Sequence, residues 1–299
     1  MDFRLTQDQQ DVRAGVRALL AGRYGREALR SAVDRGTSVD RALWRELGDA
    51  GFFSLRLPES AGGAGLGLPE AVLVFEEAGR VLLPGPLVAT HLAAGAVPGA
   101  AEGAVVVTAF DLEGPLVAHL GEADAVLGMP ELPAGEPVRS ADPLTPLWRA
   151  RGRTPEGFRD AGALLTAALQ VGSALRTVEL AVRYAGEREQ FGQPIGGFQA
   201  VKHLCSGMLV RAEVARTAVY AAAVTEDRAE IAAAKLLADE AAVRGARDCL
   251  QVYGGMGFTW EADVHLHLKR AWVRAEQWRT AREAEELLAE ALREESAVG

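Results

Sequence analysis

The sequence predicts a mostly α-helical chain with an N-terminal helical domain over residues 1–102, a reduced middle β-domain over 103–155 and a C-terminal four-helix bundle over 156–299. Three observations predict this. Ten of the thirteen prolines fall between Pro84 and Pro155 and only Pro194 lies beyond, so helices can run freely after about residue 156. Past that point apolar residues recur at alternating spacings of four and three, as on a bundle helix. In between, short apolar runs are broken by Gly and Pro, the pattern of strands. A length of 299 residues suits about two domains with cores of their own.

The first helix begins at Thr6, whose hydroxyl and Gln9 form a capping box, with Val12, Val16, Leu19 and Leu20 at helical spacing behind it. A second helix is expected near Arg41 to Ala50, a glycine loop over Leu57 to Pro69, and a third helix from Glu70 to Arg80 carrying Val72, Phe75 and Glu76. Ala104 to Thr108 and Ala123 to Leu127 read as strands that need packing partners, because so short a module cannot stand alone. Leu164, Ala168, Val171, Leu175, Val178 and Val182 mark the seam of the first bundle helix, and Val201, Cys205, Met208, Ala212, Ala215 and Val219 that of the second. Further helices are expected over about 226–250 and 263–295. Alanine runs at Ala221 to Ala223 and Ala232 to Ala234 permit close helix approach, within the fold or between subunits.

Composition narrows the function. Hydrophobic residues make up 49% and charged residues 24%, an ordinary globular balance. A formal charge of −9 disfavours the phosphate backbone of nucleic acids. The amino-terminal residues show no basic start before an apolar core, and no run of about 18 apolar residues follows, so neither secretion nor a membrane span is expected. Cys205 and Cys249 are far apart without CxxC spacing, which supports neither a disulfide framework nor a zinc cluster and suits a reducing cytoplasm. His265 and His267 lie two apart, about 200° on a helix, so they do not face one ion and no metal is expected. Trp260, Trp272 and Trp278 read as core or interface anchors.

The most informative stretch is Tyr184-Ala-Gly-Glu-Arg-Glu-Gln-Phe-Gly-Gln-Pro-Ile-Gly-Gly-Phe-Gln-Ala-Val-Lys-His203, where one helix ends, a Gly/Pro turn intervenes and the next begins. The planar fork of Arg188 suits a pyrophosphate or carboxylate; it equally complements a helix dipole and Glu187. This stretch closely resembles a signature of the acyl-CoA dehydrogenase family. Gln251-Val-Tyr-Gly-Gly-Met-Gly-Phe258 resembles a second, and Leu57-Pro-Glu-Ser-Ala-Gly-Gly-Ala-Gly-Leu-Gly67 with Phe75-Glu-Glu-Ala-Gly-Arg80 a third, N-terminal one. The order is that of the family and spans residues 1 to about 275. Gly62 to Gly67 do not form a GxGxxG between strand and helix, so no Rossmann unit is read there.

The resemblance implies FAD bound between subunits, with the ADP half held by motifs lent from a neighbour. Matched position by position, it nominates Arg188, Gln190, Phe198, Gln199, Gln251 and Gly255: Arg188 against pyrophosphate charge, Gln199 and Gln251 as hydrogen-bonding groups, Gly255 for close backbone approach. Gln251 also fits a plain helix-end cap. In the family a Glu removes the α-proton of an acyl-CoA while the flavin accepts hydride from the β-carbon. Here the usual position of that Glu is occupied by Trp278, and the alternative position near the start of the first bundle helix by Gly162. Glu276 and Asp160 lie two residues away from these positions, on other faces. Nothing in 103–153 resembles the family's Thr-Glu-Pro-Gly-Ala-Gly-Ser-Asp-like flavin cradle; Leu132-Pro-Ala-Gly-Glu-Pro137 differs in composition and order.

These departures resemble the small, non-catalytic subunit of the α₂β₂ acyl-CoA dehydrogenases with which actinobacteria degrade steroid side chains. The resemblance implies a second acyl-CoA dehydrogenase subunit supplying the Glu, an acyl-CoA substrate, and an electron-transfer flavoprotein as acceptor. Two alternatives stay open: a self-sufficient homomeric dehydrogenase using Glu276 or Asp160 as displaced base, and a flavin-free helical scaffold or regulatory partner.

Overall fold

The computed structural model describes residues 4–36 and 39–298. Thr6 caps α1 (Gln7–Arg23) as the capping box requires, its hydroxyl accepting from the Gln9 N–H (3.2 Å) and its own N–H donating to Gln9 Oε1 (3.0 Å). Then come α2 (Arg26–Arg35), α3 (Arg41–Asp49), α4 (Leu68–Arg80) and α5 (Leu87–Ala93). The sequence reading lacks α2 and α5. α2 has a Gly N-cap and few apolar residues, and α5 is a seven-residue segment just behind Pro86. Both are held by burial, through Leu29, Ala32 and Val33 in one and Leu87 to His91 in the other.

The middle region is small. β1 (Val107–Thr108) pairs in parallel with β3 (Ala125–Val126), inside the two expected runs but shorter than either. β2 (Leu116–Ala118) and β4 (Gly135–Val138) flank β5 (Leu147–Ala150) in an antiparallel sheet, Val117 opposite Trp148 and Glu136 opposite Arg149. Phe110, Val117, Leu120, Val126 and Ala150 form a satellite core under this sheet.

The 29-residue α6 (Arg159–Glu187) runs through the centre, packed on α4, on α7 (Gln199–Thr225), on α8 (Arg228–Tyr253) and on α9 (Val264–Ala275). It is long and apolar enough to cross a membrane, but 83% of its most apolar window is buried inside the protein. Its seam is as expected from Leu164 to Val178, whereas Val182 is 53% exposed on the outer face of α6, the burial there passing to Ala181 and Ala185. α4 and α6 cross in backbone contact: a Cβ on Gly79 would strike the Leu169 carbonyl and one on Gly172 the Glu76 carbonyl. Only glycine allows this approach. The helix expected over about 263–295 is two, α9 and α10 (Ala281–Val298). It breaks at Trp278, which adopts φ +62° and donates its N–H to the Asp111 carbonyl of the middle region. A tertiary hydrogen bond ends a helix that local pattern would continue.

Beside this break lies a buried polar network. Lys235, 1% exposed, pairs with Asp239 and donates to the Arg274 carbonyl (3.0 Å), while Gln170 donates to Asp239 Oδ1 (3.0 Å) and to the Ala271 carbonyl (3.0 Å). Arg270 pairs with the fully buried Asp142, which joins the loop before β5 to α9.

Candidate cofactor-binding site

In the antiparallel bundle α6 and α8 end, and α7 begins, at the same pole, so motifs some sixty residues apart in the chain become neighbours. Tyr184 near the end of α6 stacks on Tyr253 at the end of α8, with ring centroids 4.0 Å apart and planes inclined 13°. Arg188 is the C-cap of α6; its backbone N–H donates to the Tyr184 carbonyl (2.8 Å) and its own carbonyl accepts from Ile195 (2.8 Å). Its side chain is exposed and, among the described residues, pairs with no carboxylate, Glu187 included.

From Arg188 the chain forms a tight hairpin of β6 (Glu189–Gln190) and β7 (Gln193–Pro194). Both turn residues have positive φ, +54° at Phe191 and +80° at Gly192, the primed geometry whose twist matches a hairpin. A phenylalanine in that conformation is strained, and strain of this kind collects at functional sites. Gln190 is exposed, its side chain donating to the Glu189 carbonyl (2.7 Å). Phe191 is 92% exposed and meets the half-buried Phe198 edge to face at 6.0 Å.

Gln199 is exposed at the first residue of α7, whose N-terminus has no side-chain cap, so free backbone N–H groups and the positive end of a 27-residue helix dipole open onto this edge. On the other side Gln251 is exposed in the last turn of α8, and Gly255 follows in the 3₁₀ turn Gly254–Phe258, where a Cβ would meet nothing within 4 Å. Arg188, Gln190, Phe198, Gln199, Gln251 and Gly255 thus all sit on one pole. Phe191 and Phe258, not among the residues expected there, are exposed by 92% and 79% at the same pole. Their signal is apolar bulk at turn positions, outside any periodic apolar seam.

The two positions at which the family's catalytic Glu is expected, occupied here by Trp278 and Gly162, meet in space. Trp278 is 2% exposed, and its indole lies on Gly162, so a Cβ there would fall inside the ring. Arg159 donates to the Trp278 carbonyl (3.2 Å) and Gln277 to Asp111 Oδ2 (2.9 Å), which holds the plug between α6 and the middle region. On its inner side remains a cavity of about 30 Å³, room for a water or two, lined by Asp111, His119, Thr166, Arg270, Arg274 and Trp278. On its outer side a cleft of about 230 Å³ is lined by Glu113, Glu156, Glu276 and Glu283 against Arg153 and Arg159. The first is too small for a flavin ring, and the second is both below usual ligand-pocket size and acidic.

Asp160 is tied to Arg279, and Glu276 is exposed at the end of α9. The buried carboxyl next to this break is that of Asp111, whose backbone carbonyl accepts the Trp278 N–H and whose Oδ2 accepts from Gln277. Burial pushes it up to about 7, opposed by hydrogen bonds from its own N–H and from Gln277. Nothing local in the sequence marks Asp111 as buried. Trp260 and Trp272, unlike Trp278, are surface residues, 52% and 42% exposed. His265 stacks on Trp260 at 5.0 Å while His267 turns inward to Ser173 Oγ (2.8 Å).

A helical layer, a small sheet and a four-helix bundle make up the fold, with an exposed arginine, glutamines and aromatics gathered at one pole of the bundle. Residues 6–103 match the acyl-CoA dehydrogenase N-terminal domain and residues 157–295 the C-terminal domain. The acyl-CoA dehydrogenase IpdE2 of Mycobacterium tuberculosis is 35% identical, covering 93% of this chain and 95% of that one. FadE34 of the same organism is 34% identical over 77% of this chain and 39% of its own length. Among solved structures, the ChsE4-ChsE5 complex of M. tuberculosis aligns with TM-score 0.87 and 26% identity over 98% of this chain and 99% of the matched one, and butyryl-CoA dehydrogenase of Megasphaera elsdenii shares the fold at TM-score 0.84 and 20% identity. The chain belongs to the acyl-CoA dehydrogenase family, whose cofactor is FAD.

Proposed function

We propose that this chain is the non-catalytic subunit of a heteromeric, FAD-dependent acyl-CoA dehydrogenase, lending the ADP-side contacts to a flavin whose ring and catalytic Glu belong to a second subunit. One observation carries the reading: Trp278 and Gly162, the two positions from which a base would act, pack on each other, while the pole bearing Arg188 stays open. The residues fit one half of the cofactor and not the other. Arg188 neutralises pyrophosphate charge, the uncapped start of α7 adds N–H donors, Gln190, Gln199 and Gln251 donate to polar groups of the ADP half, and Phe198 with Phe191 gives adenine or ribose an apolar face. Gly255 lets backbone approach.

FAD, when bound, supplies the hydride acceptor for α,β-dehydrogenation of the acyl thioester. This chain's part is to bind and orient it, with no proton to move. Residues 1–102, 103–155 and 156–299 serve as helical layer, reduced β-domain and bundle. Exposed Val210, Val214 and Val224 on one face of α7 support burial against another subunit. The related ChsE4-ChsE5 complex is likewise built of two unlike chains, which supports an α₂β₂ assembly here. A steroid side-chain CoA ester is the substrate, and an electron-transfer flavoprotein the acceptor, that the sequence resemblance implies.

The test is expression of the chain alone and beside its genomically adjacent acyl-CoA dehydrogenase, recording flavin absorbance and native mass. Colourless protein alone and a yellow, active heterotetramer together support the reading. A yellow homomer bleached by an acyl-CoA overturns it. Asp111 favours that second reading, a self-sufficient enzyme with a displaced base, because its carboxyl is poised near neutrality beside Trp278. In that case Asp111→Asn abolishes turnover of the homomer; under the main reading the heterotetramer keeps it.

A further inference from the structure

A cleft of about 670 Å³ lies between the N-terminal helices and the bundle, far along α6 from Gly162. Its floor is one face of α6, with Arg176, Leu180, Arg183 and Tyr184 at helical spacing. Leu29, Val81 and Val264, with the stacked Tyr184 and Tyr253, make the walls apolar. Four arginines line the cleft, Arg26, Arg80, Arg176 and Arg183, against two acids, Asp263 and the exposed Glu261. Arg80 and Arg176 share the carboxylate of Glu179, and the other acid near Arg80, Glu77, is engaged bidentately by Arg17 (2.8 and 2.6 Å). Arg183 has no carboxylate partner among the described residues and lies beside the Tyr253 hydroxyl. At the other end Asp263 is matched by Arg26 and Arg30, each at 2.6 Å. The buried ring of His267, also lining the cleft, is pushed down to about 3 by burial and then by Arg176, Arg274, Arg270 and Arg80.

We propose that this cleft binds an amphipathic carboxylate, its apolar body lying along Leu29, Val264 and the Tyr184–Tyr253 pair and its carboxylate on Arg183 and Arg176. The volume falls in the range of small-molecule sites, and such sites favour domain junctions with apolar walls and a few convergent polar groups. A guanidinium without a carboxylate, next to two that share one, gives an anionic head both a bidentate partner and a local excess of positive charge at that end of the cleft. A cationic head of the same size gains neither. The site goes beyond the flavin reading: it shares Tyr253 and Met256 with the turn that carries Gly255, but none of its lining residues is among those assigned to FAD.

The experiment is calorimetric titration of the full chain, without added flavin, with dodecanoate and with dodecyltrimethylammonium, which has the same chain and the opposite head. Expected is saturable binding of one dodecanoate, at least tenfold tighter than the cation, weakened at least tenfold by Arg183→Gln and by Arg176→Gln, and blocked by Ala21→Trp at the exposed rim. Each variant is checked by its unfolding temperature. Equal affinity for the two heads, dodecanoate binding unchanged in all three variants, or no saturable binding up to about 1 mM overturns the proposal. Because the measurement needs no flavin, its failure leaves the FAD reading standing, and a colourless heteromer leaves this one standing.

Discussion

Replacing Gly162 by alanine tests the plug directly, because the sign of the effect depends on Trp278. Within a helix, alanine is ordinarily favoured over glycine by up to about 1 kcal/mol. At Gly162 the new Cβ falls inside the indole, and Trp278 is pinned by its N–H bond to Asp111 and by Arg159 on its carbonyl. Overpacking of this kind costs about 1–3 kcal/mol, so Gly162→Ala should destabilise the protein. Trp278→Ala, which empties a site 2% exposed, should cost about 3–5 kcal/mol, since positive φ is kept while the ring is lost. In that background the alanine at 162 meets open space and recovers its helical preference. The double variant should therefore be as stable as Trp278→Ala or up to about 1 kcal/mol more, a coupling of roughly 1–4 kcal/mol. Urea unfolding of the four proteins, with equal m-values, measures the cycle. Additive effects, or a Gly162→Ala protein as stable as the parent, would refute the contact between the two positions and with it the structural case for a lost base.

Arg188→Gln in the co-purified heteromer should lower flavin occupancy at least tenfold at limiting FAD and leave the unfolding temperature of the flavin-free chain unchanged, because the side chain is exposed; flavin retention by absorbance checks this. Lys235→Met strands Asp239 without its ammonium partner and should cost about 3–5 kcal/mol by urea unfolding, whereas Lys235→Met with Asp239→Leu should recover most of it. Burial raises the Asp111 carboxyl to about 7 from an ordinary 3.8, so the folded state holds its proton more tightly than the unfolded state. Its stabilising contribution is complete below about pH 4 and is lost as pH rises to about 7. Asp111→Asn should therefore flatten stability against pH across that window, seen as unfolding temperatures converging at acid pH and the variant gaining at pH 8.

The helices with strong local signals were legible from residues alone: Thr6 with Gln9 starts α1, and the apolar seams of α6 and α7 are buried from Leu164 to Val178 and from Met208 to Val219. What propensity could not supply were α2 and α5, short helices whose burial rather than composition stabilises them. The break at Trp278 was equally hidden, since a hydrogen bond to Asp111, 167 residues away, ends α9 against its periodicity.

For the site, sequence by itself determined which residues are available: an arginine beside a Gly/Pro turn, a Gln-x-x-Gly-Gly segment, and no Glu at either expected position. Their order along the chain sufficed for the family. Only the tertiary structure decided that Arg188 and Gln251 share a pole, because an antiparallel bundle brings the ends of α6 and α8 together. It alone put the indole of Trp278 on Gly162. Asp111 becomes a group titrating near neutrality, and Arg183 a cation without a carboxylate partner among the described residues, only through the tertiary packing. Motifs are written in covalent order, whereas electrostatics and packing act across space with strengths set by distance and burial.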